Sequence, residues 1–597
     1  MTSQSPDDLF SDFPAVSREQ WKSKVLEELQ GTGYGRLVWK TPDGFSLDPW
    51  YNREEHRDFL SVPFTKATNR WRICQQIPVG KEFSTAAANA ERALAGGADA
   101  LEFRLQAGAC CKAEHPAQLL AAVDLRDVPV YFSGDIGNPA LLLGLLQEMR
   151  GFGSNTGALL LDALADPEAL PDTDAAGYLL KKDTPREFCL LAVDTGRYHR
   201  AGAVASQELA LALAGVSELL FRFSCMGIDA AAILPKIEVI LDIGSSHFME
   251  LSKLRALRML LPGVAAAYGV ARETLQPRIF ARSSARNTSL LDPQTNLLRL
   301  ATEAISAILG GCDTLQLSSF DPGGSLPGDF SERITRNIHL LLREESGLDH
   351  VVDPAAGSWY IESMTAALSE EAWKLFRKIE SAGGFRKAAS EGVIDRLIEP
   401  AAAARSESIR TRRKCLIGVN RYAAPLTAET AANLAGLRQE NDRRAMESDT
   451  AAFERLRLTM LDFTRKNGRT PSVVLWLQGD PARSFRVAAF AEDFFRCGGF
   501  PVSESMQLDL HAESCQTLMS RKPQIVVLCW PEKDDLASVR EICGELHALD
   551  RELLVVMAAK PPDHAEELLQ AGLDAFIHAG SDAYGILLSM QTKTGVS

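Results

Sequence analysis

The sequence predicts an α/β protein with two parallel-sheet domains, a (β/α)8 barrel of the TIM type followed by a smaller, flavodoxin-like doubly wound domain. Two observations predict this fold class. Strand-like apolar runs alternate with amphipathic helical stretches from about residue 70 to about residue 350. The same alternation resumes at about residue 471, after a charged helical segment. An open doubly wound sheet is the alternative for the first region.

Eight strand-like runs in the first region, each followed by a helix or a long loop, favour a closed barrel. The runs are Trp71–Val79, Ala98–Leu105, Val128–Phe132, Ala158–Asp162, Phe188–Asp194, Lys236–Ile243, Arg278–Ser283 and Thr314–Ser319. We assign residues 51–400 to this barrel domain.

Residues 1–50 predict an interaction arm rather than a domain, because the segment is too short to enclose a core. Trp21, Val25, Leu26 and Leu29 fall on one face of a predicted helix, which indicates contact with another subunit. The glycine-rich run Gly31–Gly35 follows this helix rather than a strand and lacks a Lys-Ser/Thr pair. It therefore predicts a plain loop and not a phosphate-binding loop.

The remainder of the chain predicts a helical linker at 401–470 and the doubly wound domain at 471–597. The linker contains one apolar run, Cys415–Asn420, which we interpret as a short strand. The strands of the last domain are predicted at Ser472–Leu477, near Phe500–Ser503, and at Ile525–Cys529, Leu553–Met557 and Ala575–Ile577.

Composition argues against two classes of partner. The net charge of −14 and the pI of about 5.4 disfavour nucleic acid and anionic membranes, which both repel an acidic surface. We expect no signal peptide and no transmembrane span, because no long apolar stretch is free of charge. Eleven cysteines without a C-x-x-C pair predict reduced thiols and a cytoplasmic location.

Residue types alone reveal no active site. The histidines show no metal-ligand spacing, so we predict no metal site, and neither a G-x-S-x-G elbow nor a P-loop is present. Asp194 and Glu208 are candidate acids at the barrel mouth, although a charged strand end is more commonly a solvated rim. The functional assignment therefore depends on resemblance to other proteins.

Five segments resemble the adenosylcobalamin-dependent acyl-CoA mutases, and they occur in the order of that family over nearly the whole chain. These segments are Phe83–Ala86, His247–Ala256, Leu326–Ser331, Asp353–Glu362 and Ile417–Tyr422. The chain resembles most the small, non-catalytic subunit of heterodimeric methylmalonyl-CoA mutase. That enzyme interconverts methylmalonyl-CoA and succinyl-CoA by a radical rearrangement of the carbon skeleton.

The resemblance also implies a place for the substrate, because CoA lies along the barrel axis in this family and small polar residues line the axis. Arg282, Ser283, Ser284, Ser318 and Ser319 are the corresponding residues here. Strand ends at the barrel rim are the equally supported alternative for them.

The cobalamin motif of active members, D-x-H-x-x-G, is absent. The resemblance places Gly479 at the Asp position, Pro481 at the cobalt-binding His position and Ser484 at the Gly position. Cys529 stands where a Ser-x-Leu slot begins, and Met557 and Ala558 replace a Gly-Gly pair. The resemblance therefore implies a degenerate domain with no cofactor of its own, and adenosylcobalamin on the partner subunit.

The barrel motifs are eroded in the same way. The segment Gln75–Gly80 lacks the tyrosine that active members place against the acyl group. In the segment that matches G-Y-H-x-Q-E-A-G, Arg197 takes the histidine position and His199 lies two residues away. His199 is the one candidate for a catalytic role, although a lone histidine is more often structural.

We therefore expect a structural subunit that pairs with a larger, homologous catalytic subunit acting on an acyl-CoA. An active acyl-CoA mutase with divergent cobalamin motifs and a free-standing CoA-ester binding protein are the alternatives. The sequence leaves open which branched acyl-CoA the complex uses, whether this barrel admits any CoA ester, and whether a larger oligomer forms.

Overall fold

The computed structural model describes residues 16–52, 66, 68–106, 115–120, 123–124, 127–134, 157–160, 162, 188–272, 275–324, 326, 328–426, 428–508, 512–530 and 536–596. Residues 1–15 of the predicted arm lie outside this set. The arm contains helix α1 (Arg18–Glu28) and an antiparallel pair, β1 (Trp39–Lys40) and β2 (Ser46–Leu47).

Helix α1 begins at a capping box, in which Ser17 and Gln20 exchange hydrogen bonds between side chain and backbone. No residue of α1 is buried. Its predicted apolar face is at best half-buried, and the ring of Trp21 stacks on Trp50 with centroids 4.8 Å apart. The described residues therefore leave this face largely uncovered.

Nine strand segments form one parallel sheet with the neighbour order β7-β6-β5-β4-β3-β11-β10-β9-β8. They are β3 (Arg72–Val79), β4 (Ala100–Leu105), β5 (Val130–Gly134), β6 (Gly157–Leu159), β7 (Phe188–Cys189), β8 (Leu191–Asp194), β9 (Ile237–Ile243), β10 (Arg278–Ser283) and β11 (Thr314–Gln316).

The sheet closes because β7 and β8 are one strand interrupted at Leu190. The first part pairs with β6 and the second with β9, and a bridge joins Asp162 to Ala192. The last strand, β11, pairs with the first, β3. The nine segments thus fill eight positions of a TIM-type barrel, which confirms the predicted closed barrel and excludes the open sheet.

The helices around the barrel pack on the outward-facing residues of the strands, such as Ile77 and Phe103. They are α2 (Phe83–Ala95), α3 (His115–Leu120), α4 (Gly196–Ala201), α5 (Ala205–Cys225), α6 (Ala230–Ile233), α7 (His247–Ala267), α8 (Pro293–Leu309), α9 (Gly328–Leu340, continued by a π-helical turn at Leu341–Glu345), α10 (Trp359–Ser381) and α11 (Gly384–Ser390).

Four helices lie between the barrel and the last domain. They are α12 (Val393–Arg410), α13 (Ala428–Ala432), α14 (Leu434–Arg444) and α15 (Ala451–Asn467). The predicted strand at Cys415–Asn420 is wrong, because this run forms a turn. The side-chain amide of Asn420 donates to the carbonyls of Ile409 and Lys414, and Gly418 has a φ of +77°. These local bonds replace the ladder of a strand.

The last domain is a five-stranded parallel sheet with helices on both faces. Its strands are β12 (Val473–Leu477), β13 (Val502–Gln507), β14 (Ile525–Cys529), β15 (Leu554–Met557) and β16 (Ala575–Phe576). Its helices are α16 (Pro481–Arg496), α17 (Ala512–Met519), α18 (Leu536–Leu549), α19 (Ala565–Gln570) and α20 (Ala583–Lys593).

The strand order of this sheet, β13-β12-β14-β15-β16, is 2-1-3-4-5, which is one of the two common doubly wound orders. The parallel direction of every pair agrees with the predicted crossover connections. Within the described residues, no helix is both long and apolar enough to cross a membrane.

Candidate functional site

The interior of the barrel is filled at its middle by an aromatic pair. Tyr131 and Phe280 come from β5 and β10, which occupy the third and seventh of the barrel positions and so face each other across the axis. Their ring centroids lie 5.0 Å apart in an edge-to-face arrangement, and both side chains are buried. The hydroxyl of Tyr131 is 2.8 Å from Oγ1 of Thr314. At this level the barrel has a packed core instead of an open axis.

Sequence analysis did not single out this pair. Smaller or aliphatic side chains complete the apolar layer around it: Cys74, Ala100, Ala158, Leu160, Cys189, Ala192 and Ile240. One sequence pattern could have indicated that Phe280 faces the barrel interior. Arg278, Phe280 and Arg282 alternate along β10, so all three lie on one face of the strand.

Above this layer, the carboxyl ends of the strands carry paired charges. Arg282 donates to Asp194 at 2.7 Å and to Asp242 at 2.9 Å. Arg200 on α4 lies 3.5 Å from the second oxygen of Asp242. On the other side, Glu102 accepts from Gln76 and Gln316. The candidate acid Asp194 is therefore engaged by an arginine of the same rim.

His199 lies on α4 and is buried, with both ring nitrogens engaged. Nδ1 is 2.7 Å from Oε1 of Glu208, and Nε2 is 2.8 Å from Oγ of Ser284. The order serine, histidine, carboxylate is that of hydrolase triads. Lys253 donates to Glu208 at 3.0 Å and lies 2.6 Å from Glu250. Sequence analysis missed this lysine, because nothing in the pattern of α7 marks it as buried.

Two properties distinguish this triplet from a hydrolase triad. Burial and then the charge of Lys253 lower the pKa of His199 to about 3, whereas a general base works best near the operating pH. Ser284 is 2% exposed, so its hydroxyl is shielded from solvent. Although burial opposes the charge, Glu208 and Glu250 raise the pKa of Lys253, and the resulting buried ion network ties α4, α5 and α7 to the end of β10.

The predicted small polar residues lie at the rim, at the ends of β10 and β11. The amide of Ser318 donates to Oγ of Ser283 at 2.8 Å, and Ser319 pairs with Ser331. Arg197 is exposed on α4 and lies over the ring of Tyr198 at 5.2 Å. Of these predicted residues, Ser284 and His199 are therefore in contact, while Arg197 points away from both.

The cobalamin positions of the last domain lie at the carboxyl edge of its sheet, where a doubly wound domain binds ligands. Gly479 has a φ of +79°, and Pro481 is already the first residue of α16. Asp480 caps that helix by accepting from the amide of Arg483 at 3.0 Å. Ser484 is fully buried. At the position that the resemblance gives to the cobalt-binding histidine, this edge presents Pro481, whose ring offers no nitrogen ligand for cobalt.

The other positions of this edge are filled by apolar packing. Burial raises the pKa of the Cys529 thiol to about 12, and the next residue, Trp530, packs edge-to-face on Trp476 with centroids 6.2 Å apart. Met557 and Ala558 are buried. The residues present therefore do not fit cobalamin. In the described part of the chain, no group of three or more His, Cys, Asp or Glu side chains is placed to hold a metal ion.

The fold defines a TIM-barrel protein with a C-terminal doubly wound domain. The family "Methylmalonyl-CoA mutase" matches residues 173–460. The methylmalonyl-CoA mutase small subunit of Porphyromonas gingivalis is 32% identical over 98% of this chain and 99% of its own length. The chain belongs to the methylmalonyl-CoA mutase family.

Two proteins of Streptomyces virginiae represent both kinds of subunit in this family. Its methylmalonyl-CoA mutase small subunit is 31% identical over 68% of this chain and 64% of its own length. Its large subunit is 29% identical over 74% of this chain and 69% of its own length. The chain is therefore similar to both, and its full-length match is to a small subunit.

Proposed function

We propose that this chain is the non-catalytic subunit of a heterodimeric methylmalonyl-CoA mutase. The observation that carries the proposal is the Tyr131–Phe280 pair. A CoA ester that lies along the barrel axis, as the resemblance implies, would have to displace two buried aromatic rings. Replacing a buried aromatic residue by alanine costs about 3–5 kcal/mol, and we take this value as the scale of the cost of displacing such a ring.

Adenosylcobalamin belongs, on this proposal, to the larger catalytic subunit. The support is the edge of the last domain, where Pro481 begins a helix in place of a ligand loop. The reaction of the complex would be the conversion of methylmalonyl-CoA to succinyl-CoA, after which its relatives are named. A cytoplasmic location stays a prediction.

The N-terminal arm is the proposed contact with the partner. Its second half is anchored to the barrel, because Asp43 accepts from the amide of Ser206 at 2.6 Å and so caps α5. Before this anchor, the arm presents four apolar side chains to solvent, those of Val16, Leu26, Leu37 and Trp39. Burying these side chains against a homologous subunit would contribute a favourable free energy of about 25 cal/mol for each Å² of apolar surface removed from water.

Co-expression with the large subunit from the same genome tests this proposal. We expect the two chains to co-elute, and the cobalamin absorbance to appear only in the complex. Leu26→Asp should weaken co-elution, because it places a charge in the proposed contact. Leu549→Asp is the matched control, since Leu549 has a similar exposure, 49% against 46%, but lies on α18.

Three outcomes would contradict the proposal. Saturable cobalamin binding by this chain alone would favour an active mutase with divergent motifs. Failure to associate with any large subunit, together with binding of a CoA ester, would favour a free-standing binding protein. Equal co-elution of the variants Leu26→Asp and Leu549→Asp with the large subunit would show that the arm is not part of the subunit contact.

A further inference from the structure

We propose that the junction between the barrel mouth and the linker binds a small oxyanion, the phosphate or carboxylate group of a ligand. The site is the junction cluster, which consists of Arg286, Arg405, Lys414 and Asp449. Arg286 follows β10, Arg405 lies on α12, Lys414 follows α12, and Asp449 precedes α15. This inference does not depend on the proposed subunit role.

Two arginines of the junction cluster share the carboxylate of Asp449. The Nε atoms of Arg286 and Arg405 each donate to Oδ1 of Asp449 at 3.0 Å. Although burial opposes ionisation, Arg405, Arg286 and Lys414 hold the pKa of Asp449 below its usual range. The cluster therefore carries more positive than negative charge at a place that is largely removed from water.

The neighbouring carboxylates are engaged elsewhere. Glu208 and Glu250 lie 3.0 Å and 2.6 Å from Lys253, and Glu447 lies 3.1 Å from Arg200. Within the described part of the chain, Lys414 forms no ion pair. Burial lowers the pKa of Lys414 to about 8, and the charges of Arg405 and Arg286 add to this effect while Asp449 and Glu250 oppose it. A bound anion would relieve that repulsion.

The cluster also has hydrogen-bond donors to offer. The Nη1 atom of Arg286 donates to the carbonyl of His199, and Arg405 uses Nε and one Nη atom on Asp449. The remaining Nη atoms and the ammonium of Lys414 make no hydrogen bond to described residues. Arginine forks and an ammonium suit the oxygens of phosphate and carboxylate. The side chain of Arg405 is 27% exposed, so a ligand can approach from solvent.

Isothermal titration calorimetry of the full-length chain tests this site at constant ionic strength, with inorganic phosphate in one arm and acetate in the other. We expect saturable binding with a Kd on the order of a millimolar. Lys414→Met should weaken it at least about tenfold, since it removes one of three cations. Binding in only one arm identifies the group that the site prefers, and binding in both supports the shared chemistry.

Two controls separate the site from general charge and from misfolding. Lys466→Met removes an exposed ammonium that pairs with Asp462 at 2.8 Å, and it should leave the affinity unchanged. Lys414→Arg keeps the charge and should retain binding. Unsaturable heats with both anions in the wild-type chain, or equal affinities of the wild type and Lys414→Met, would overturn the proposal.

Discussion

The carboxyl edges of the two parallel sheets of this chain are filled by different kinds of side chains. At the barrel mouth, Arg282 lies between Asp194 and Asp242, and behind it Lys253 is sealed against Glu208 and Glu250. At the edge of the last domain, apolar side chains and a helix start fill the space. Removing a buried cation leaves its carboxylates unpaired, whereas Pro481 is exposed at the start of its helix and is replaceable. Substitution of Lys253 should therefore affect stability strongly and substitution of Pro481 weakly.

The largest effect is expected for Lys253→Met. The change leaves two buried carboxylates without their cation, and breaking a buried ion pair costs about 3–5 kcal/mol. The midpoint of urea unfolding should fall accordingly. Lys466→Met, which alters a surface ion pair, should shift it by less than about 1 kcal/mol. Similar midpoints for the two variants would show that the charged network is not the sensitive region.

A smaller and pH-dependent effect is expected for Glu303→Gln on α8. Burial raises the pKa of Glu303 to about 8, and Asn287 donates to one of its oxygens at 2.8 Å. Nearby Glu250 raises this pKa further, while Arg299 lowers it. The folded state thus holds a proton that the unfolded chain releases at a lower pH.

The stabilisation from that proton is complete below about pH 4.5 and is lost as the pH rises through about 8. Glutamine mimics the protonated acid, so the free energy of unfolding of the variant should be close to that of the wild type at pH 4.5 and exceed it at pH 7 by about 3 kcal/mol, since each pH unit between these values is worth about 1.4 kcal/mol. Urea unfolding at both pH values measures this difference. An unchanged difference between the two proteins across that range would contradict a buried neutral carboxyl.

The smallest effect is expected for Pro481→His. Proline at the first position of a helix is replaceable, so stability should change by less than about 1 kcal/mol. Titration with adenosylcobalamin should leave the visible spectrum that of the free cofactor, because Trp530 and Met557 still fill the edge. Ser484→Ala serves as a control for disturbance of the same helix. A spectrum different from that of the free cofactor would mean that one histidine is enough for cobalamin binding and that the side chains at this edge move aside.

The fold was largely predictable because strand composition and helix periodicity agreed with each other. The runs Arg278–Ser283 and Ile525–Cys529 are strands with the predicted bounds. Cys415–Asn420 misled because it is apolar, yet the amide of Asn420 and the left-handed conformation of Gly418 form a turn. Such side-chain competition with the backbone is not visible in a hydropathy pattern.

The site was predictable only in its individual residues. His199, Glu208 and Ser284 were each noted, but their meeting depends on three elements that are distant in sequence. Lys253 entered only as part of the segment His247–Ala256, and its complete burial was not predicted. The Tyr131–Phe280 contact required the positions of opposite strands in the closed barrel, which composition alone does not fix.

The cap that Asp43 supplies to α5 sets an order of events during synthesis. Asp43 precedes Ser206 by 163 residues, so its carboxylate has no partner until most of the barrel strands have left the ribosome. The arm consequently acquires its position only when α5 has formed and docked. On the proposed subunit role, the arm would be oriented for its partner only after α5 has docked.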